Sequence, residues 1–311
     1  MFFPLVVLVA VLPGLVALNS WDLTPPGPLW GLRALEVLEG RTIDQLPAAD
    51  GIKPDAEASA FRAVCLQPPL YAWLAALGMW LSADFDPLAS VLPSYAAGAL
   101  VVILVYLHGR LWRGGGMGWA AALLIGFNPS LLLRMQEVTP VTLALAGAIG
   151  ALLCYGWHER VTAGSRPPWR WAGPRFWALA GGASLGLSLL SLAGFGLLVV
   201  LVIALHQVYL RSGGESATAV HVPVRARWSD GWWQARLAAS LPALAVALAL
   251  AEPWYVAMIR THGWWVVAGL DFRSWGMAGG PGSLLSRLNE LAPVTLPLGI
   301  YGFLRAIRMA L

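Results

Sequence analysis

Eight apolar stretches, nearly free of charge, recur along the chain: Phe2–Leu18, Val91–His108, Met117–Leu133, Pro140–Trp157, Phe176–Leu192, Gly194–Leu210, Leu237–Ile259 and Leu291–Leu304. A helix of about 17 to 25 such residues reaches across the hydrocarbon core of a bilayer and satisfies its own backbone there. The expected fold is therefore all-α, a polytopic membrane protein with about eight transmembrane helices. A composition of 58% hydrophobic and only 12% charged residues excludes a water-soluble globule of this length. The 17 tryptophans fit aromatic belts at the two bilayer interfaces.

The loops decide the orientation. A ninth segment, Pro68–Ser82, is apolar for only about 14 residues and reads as an interfacial or re-entrant helix. With eight spans and a cytoplasmic N-terminus, the inner loops hold Arg110, Arg113, Arg160, Arg166, Arg170, Arg175, Arg211, Arg225, Arg227, Arg236, Arg305 and Arg308, against Glu159, Glu215 and Asp230. That leaves eight of the 20 basic and 13 of the 16 acidic residues outside. A ninth span would carry all twelve arginines outward, against the positive-inside tendency. Both termini are thus expected in the cytoplasm of a cell whose inner membrane the chain crosses. A cleaved signal peptide ending near Ala17–Ser20 is the alternative for the first stretch; its lack of a basic n-region favours an uncleaved helix.

The chain reads as one transmembrane domain, 1–311, with a first external loop over 19–90 and a last one over 260–290. In the first, Leu29–Glu39 sets Leu32, Leu35 and Leu38 or Leu29 and Val37 against Arg33, Glu36 and Glu39, the pattern of a short amphipathic helix lying on the membrane. Gln67-Pro68-Pro69-Leu70-Tyr71 opens a second interfacial helix, its prolines in the first turn where a missing N–H costs nothing. The net charge of +4 is too small for a nucleic-acid surface, so no nucleic-acid partner is expected. Cys65 and Cys154 fall one outside and one within an apolar run, which supports neither a disulfide framework nor a zinc site.

Carboxylates near the outer ends of spans are the candidate chemical groups. Asp22 follows the first span beside Trp21, in a position that also suits a helix cap. Glu137, with Arg134 and Gln136, lies at the outer end of the third span, where a solvated turn is the ordinary explanation. Glu252 sits near the outer end of an otherwise apolar segment, Ala249-Leu250-Ala251-Glu252-Pro253, where a carboxylate is costly unless paired or wetted. Arg260 and His262 follow within three turns and would pair with it or bind phosphate. Gln67 and Tyr71, one turn apart, can hydrogen-bond a sugar or phosphate. His206 reads as a satisfied interface histidine.

These features together resemble a known family. The ordered set is Gln67-Pro68-Pro69-Leu70-Tyr71, Leu92-Pro93-Ser94, His108-Gly109-Arg110, Asn128-Pro129-Ser130 with Glu137, and Pro253-Trp254-Tyr255 with His262-Gly263. It is similar to the C-superfamily membrane glycosyltransferases, in the branch that includes aminoarabinose transferase and the protein O-mannosyltransferases. The resemblance implies a polyprenyl-phosphate sugar donor taken from the membrane and a lipid, glycan or protein acceptor at the external face. With it, Asp22 and Glu137 are catalytic candidates, Glu252 joins them from its own place in an apolar segment as a carboxylate that could take over acid or metal-binding work, and Gln67, Tyr71, Arg134, Arg260 and His262 are the substrate-binding candidates. A divalent metal ion is the one cofactor left open, a hard ion on oxygen ligands such as Asp22 and Glu137.

At four places in that family's pattern, charged residues are replaced by neutral ones here. The acidic pair after the first span corresponds to Thr24-Pro25 or Gly27-Pro28, the charge before Pro-Pro-Leu to Leu66-Gln67, an Arg and an Asp to Thr139 and Val141, and a lysine to Leu192. Family members commonly continue past an eighth span, whereas this sequence stops at Arg305–Leu311; a fragment, a short paralogue and one part of an assembly all fit. A non-catalytic paralogue that binds polyprenyl lipid or supports a partner membrane subunit is therefore the second functional expectation. A transporter is weaker, since no matching interrupted helices appear in two halves.

Overall fold

A computed structural model of the protein describes residues 3–18, 27–39, 68–82, 87–162, 164–165, 168–169, 171–211 and 230–262. Among these the structure is all-α. The helices are α1 (Phe3–Leu18), α2 (Gly27–Leu38), α3 (Leu70–Leu81), α4 (Pro87–Arg113), α5 (Gly115–Gly126), α6 (Pro129–Gln136), α7 (Val141–Thr162), α8 (Pro174–Ser191), α9 (Ala193–Arg211) and α10 (Asp230–His262).

Three helical segments are long and apolar enough to cross a membrane, Ala89–Arg113, Val141–Thr162 and Ser240–Thr261. The bent pair α5 and α6 makes a fourth if the two are one span. The expected count of eight thus becomes three to four among the described residues. The reasons differ from segment to segment. The 16 residues of α1 reach about 24 Å, short of a hydrocarbon core of about 30 Å. Helix α8 has 18 residues, but its glycines and serines dilute its apolar character. The apolar part of α9, Gly194–Gln207, is too short. Leu291–Leu304 lies outside the described residues, as do Gln67 and Asp22.

The expected helix over Met117–Leu133 is in fact two, bent by 58°. Asn128 and Pro129 explain the break. Asn128 Oδ1 accepts from the amides of Ser130 and Leu131 at 2.9 and 3.3 Å, a side-chain N-cap, and Pro129 occupies the first turn of α6, where it has no N–H to lose. At the other end of α5 the chain reverses at Gly114, whose φ of +89° suits glycine.

Helix α4 is the central post. Its Val101, Val102 and Tyr106 pack with Val6 and Ala10 of α1, Ala122 of α5 and Met135 of α6. Its N-terminal end meets α2, α3 and Val138 in a second cluster that includes Ala34, Tyr71, Ala75, Met79 and Val91. A third cluster joins α7, α8, α9 and α10 through Ala148, Leu185, Val199 and Ala247. Backbones approach closely in this third group: a Cβ on Gly147 would lie 2.8 Å from the carbonyl oxygen of Ser184, and one on Gly182 would collide with the backbone of Ala243. Small residues at such crossings let helices associate where lipid supplies no hydrophobic drive between them.

On the outer sides of α9 and α10, Leu197, Leu201 and Leu205, and Leu241, Leu244 and Leu248, are exposed at helical spacing. That is the arrangement expected of a surface facing acyl chains. Helix α2 departs from the pattern read for it: Leu32 faces outward, while Arg33 is only 3% exposed. Ala34 beside it packs against α3 in the second cluster.

Candidate functional site

The N-terminal end of α4 collects a polar knot from three parts of the chain. Tyr71, in the first turn of α3, is fully buried, and its hydroxyl oxygen lies 3.0 Å from Ser90 O and 2.7 Å from Ser94 Oγ. Ser94 in turn donates to the carbonyl of Thr139 at 3.0 Å and accepts from the Thr139 amide at 3.3 Å. Thr139 belongs to the turn between α6 and α7, so one serine on α4 holds both α3 and that turn. Burial pushes the Tyr71 phenol well above its ordinary range, so it stays a neutral hydrogen-bonding group.

Glu137 stands two residues before Thr139, at the C-cap of α6. Its carboxylate accepts from Arg134 NH1 at 2.6 Å, and the Glu137 side chain is only 13% exposed against 38% for Arg134. A charge-assisted bond this short, between a half-buried carboxylate and an exposed guanidinium one turn away, fixes the carboxylate at the mouth of the turn. The break at Asn128-Pro129 makes this possible by turning α6 away from the line of α5.

Other candidates stand apart from the knot. Glu252 is exposed on α10, which packs on α8; no hydrogen bond or ion pair joins it to Glu137, Arg134 or Tyr71. Near it, Tyr255 donates to Leu189 O at 3.0 Å and fastens α10 to the end of α8. Arg260 is exposed in the last turn of α10. His262 ends that helix, and its side chain, like all of Asp22 and Gln67, lies outside what the structure describes. Leu192 is buried at the C-cap of α8.

No three metal-capable side chains come together among the described residues. Glu137 already carries a cation in Arg134, so the described site does not fit a metal on that carboxylate.

Ser94 and Thr139 hold the knot together, a role that the sequence did not suggest for either: nothing in the spacing of Leu92-Pro93-Ser94 points to a carbonyl 45 residues away. At the opposite end of the bundle, Tyr155 Oη lies 2.9 Å from His206 Nδ1 and accepts from Gln207 Nε2 at 2.5 Å, so His206 has the hydrogen-bond partner expected of it.

Removing the Tyr71 hydroxyl tests the knot. Tyr71→Phe is expected to lower stability by about 1 kcal/mol, the net worth of a buried hydrogen bond. Thermal unfolding in detergent reads this as a fall in Tm.

No protein-family model, curated protein or solved structure matches the chain.

Proposed function

We propose that the protein is a membrane glycosyltransferase that moves a sugar from a polyprenyl-phosphate donor to a lipid, glycan or protein acceptor on the external face of the cytoplasmic membrane. The observation that carries this reading is the Arg134–Glu137 pair at the mouth of the α6–α7 turn, tied through Thr139 and Ser94 to the interfacial helix α3. It sets a carboxylate and a guanidinium side by side at the end of a bent helix pair, where a lipid-borne phosphate and a soluble acceptor can meet. The motif order of the sequence supports the same reading.

In this reaction a carboxylate takes the proton of an acceptor hydroxyl as its oxygen attacks the anomeric carbon. The bond from that carbon to the phosphate oxygen breaks, and the lipid phosphate leaves with its negative charge. Glu137, Asp22 and Glu252 are the candidate bases; Arg134, Arg260 and His262 are the candidate cations for the leaving phosphate. The role of Tyr71 is indirect, since its hydroxyl is committed to Ser90 and Ser94 and holds the turn that bears Glu137. Gln67, just ahead of α3, would contact substrate directly.

The same two commitments favour a second reading. A carboxylate engaged by its own neighbour and a tyrosine sealed in the core suit a non-catalytic relative that binds polyprenyl lipid or supports a partner membrane subunit. Release of polyprenyl phosphate from a labelled donor separates the two. Turnover that falls in Glu137→Ala, Asp22→Ala or Glu252→Ala supports the enzyme; an intact protein without turnover that co-purifies with another membrane protein supports the scaffold.

The reading sets the first loop outside and the segment before α10, like both termini, in the cytoplasm. A cysteine introduced at Ser229 is then expected to be shielded from an impermeant thiol reagent in intact cells, and one at Ser59 to be labelled. The opposite pattern would reverse the orientation.

A further inference from the structure

Four indole rings are stacked in series where α7 turns into α8. Trp157 of α7 lies on Trp177 of α8 with centroids 5.6 Å apart and planes 20° apart; Trp177 lies on Trp169 at 5.8 Å and 10°; Trp169 lies on Trp171 at 5.5 Å and 5°. Phe176 meets Trp169, Trp171 and Trp177 edge-on. These are offset-stacked and edge-to-face geometries of the favourable kind. Trp177 Nε1 donates to Ala172 O at 3.1 Å, and His158 Nδ1 is 3.0 Å from Pro174 O, so the turn is fastened to both helices.

The ladder runs from inside to outside. Trp177 is 6% exposed, Trp169 50% and Trp171 68%. It starts at Trp157, within the last turns of a helix long and apolar enough to span, and ends beyond Thr162 where that helix stops. The surrounding sequence, 158–175, holds Arg160, Arg166, Arg170 and Arg175 against Glu159 alone. Indoles favour the zone where apolar surface meets water, and arginines near it favour lipid phosphates.

We infer that this tryptophan ladder is a membrane anchor, which seats the α7–α8 turn in the headgroup layer of an anionic leaflet. The exposed edge of Trp169 and the outer side of Trp171 enter the interface, and Arg160 and Arg175, on the helices to either side, select negative headgroups. A rigid, pre-stacked ladder loses little side-chain freedom on insertion, unlike separate flexible side chains. This anchor rests on α7 crossing the membrane and is independent of any catalytic role.

The test uses the full chain with Cys65 and Cys154 replaced by serine, Ser165→Cys carrying a bimane fluorophore, and reconstitution into vesicles of phosphatidylcholine alone or mixed equally with phosphatidylglycerol. In the anionic vesicles a headgroup-tethered nitroxide lipid is expected to quench the probe and aqueous iodide to have little access. Both effects should weaken in phosphatidylcholine alone and at high salt, with each arginine contributing about fivefold to the anionic preference. Trp169→Ala/Trp171→Ala should exchange the pattern, with iodide gaining access and the nitroxide losing it. The comparison of the two vesicle compositions needs no variant. Equal iodide access in the parent and the double variant overturns the inference. So does equal behaviour in the two vesicle types, or iodide exclusion without nitroxide quenching in a chain that cross-links to a second copy through this face.

Discussion

Glu137→Gln is expected to lower sugar transfer from a polyprenyl-phosphate donor by about two to four orders of magnitude, the usual contribution of a positioned general base. The substitution keeps the shape of the side chain and one oxygen for Arg134, so the turn that Ser94 holds through Thr139 should persist. A stability effect is expected to be small, because the pair is partly solvent-exposed and such pairs contribute about 1 kcal/mol or less. The large loss in rate beside a nearly unchanged Tm is the pattern that distinguishes a base from a structural carboxylate. Arg134→Gln should reduce transfer as well, by freeing the carboxylate and removing a cation from the path of the leaving phosphate. A rate unchanged in Glu137→Gln would take Glu137 out of the reaction and leave Asp22 and Glu252.

The second large effect concerns the fold. Gly147→Ala and Gly182→Ala are each expected to destabilise the bundle by about 1 to 3 kcal/mol or more, because the added methyl meets backbone that cannot step aside. At Gly147 the obstacles are Ser184 O and Ser188 N, both at 2.8 Å from an added Cβ. At Gly182 they are the carbonyl and Cα of Ala243. Gly31→Ala is the control, since nothing lies within 4 Å of a Cβ there and alanine favours the helix. Thermal unfolding in detergent should therefore rank Gly31→Ala at or above the parent, with both other variants well below it. Equal Tm values across the three would mean that α7, α8 and α10 do not cross as closely as described.

Much of the helical architecture was legible in the apolar runs, because only internally bonded segments can lie in a bilayer. Their lengths were not. Asn128-Pro129 was visible as a family-like motif, yet its power to cap one helix and end another became clear only with the 58° bend. The helix at Leu70–Leu81 was legible from its short apolar length and its leading prolines. The orientation of α2 was not, since whether Arg33 or Leu32 faces inward depends on the neighbouring α3 rather than on periodicity.

At the candidate site the sequence pointed to Glu137, Arg134 and Tyr71, and the structure gathers these three around the α6–α7 turn. It could not point to Ser94 and Thr139, because hydrogen bonds between residues 45 apart leave no local pattern. The tryptophan ladder was hidden for the same reason: positions 157, 169, 171 and 177 follow no helical period, and only the turn back onto α7 stacks them.

The most direct measurement is single-turnover release of polyprenyl phosphate by the purified chain, reconstituted in vesicles with a radiolabelled polyprenyl-phosphate sugar and an extract of envelope acceptors. Release that depends on the acceptor and is lost in Glu137→Gln is the expected result. A folded protein that releases no polyprenyl phosphate from pentose or hexose donors, with or without acceptor, would contradict the proposed transfer.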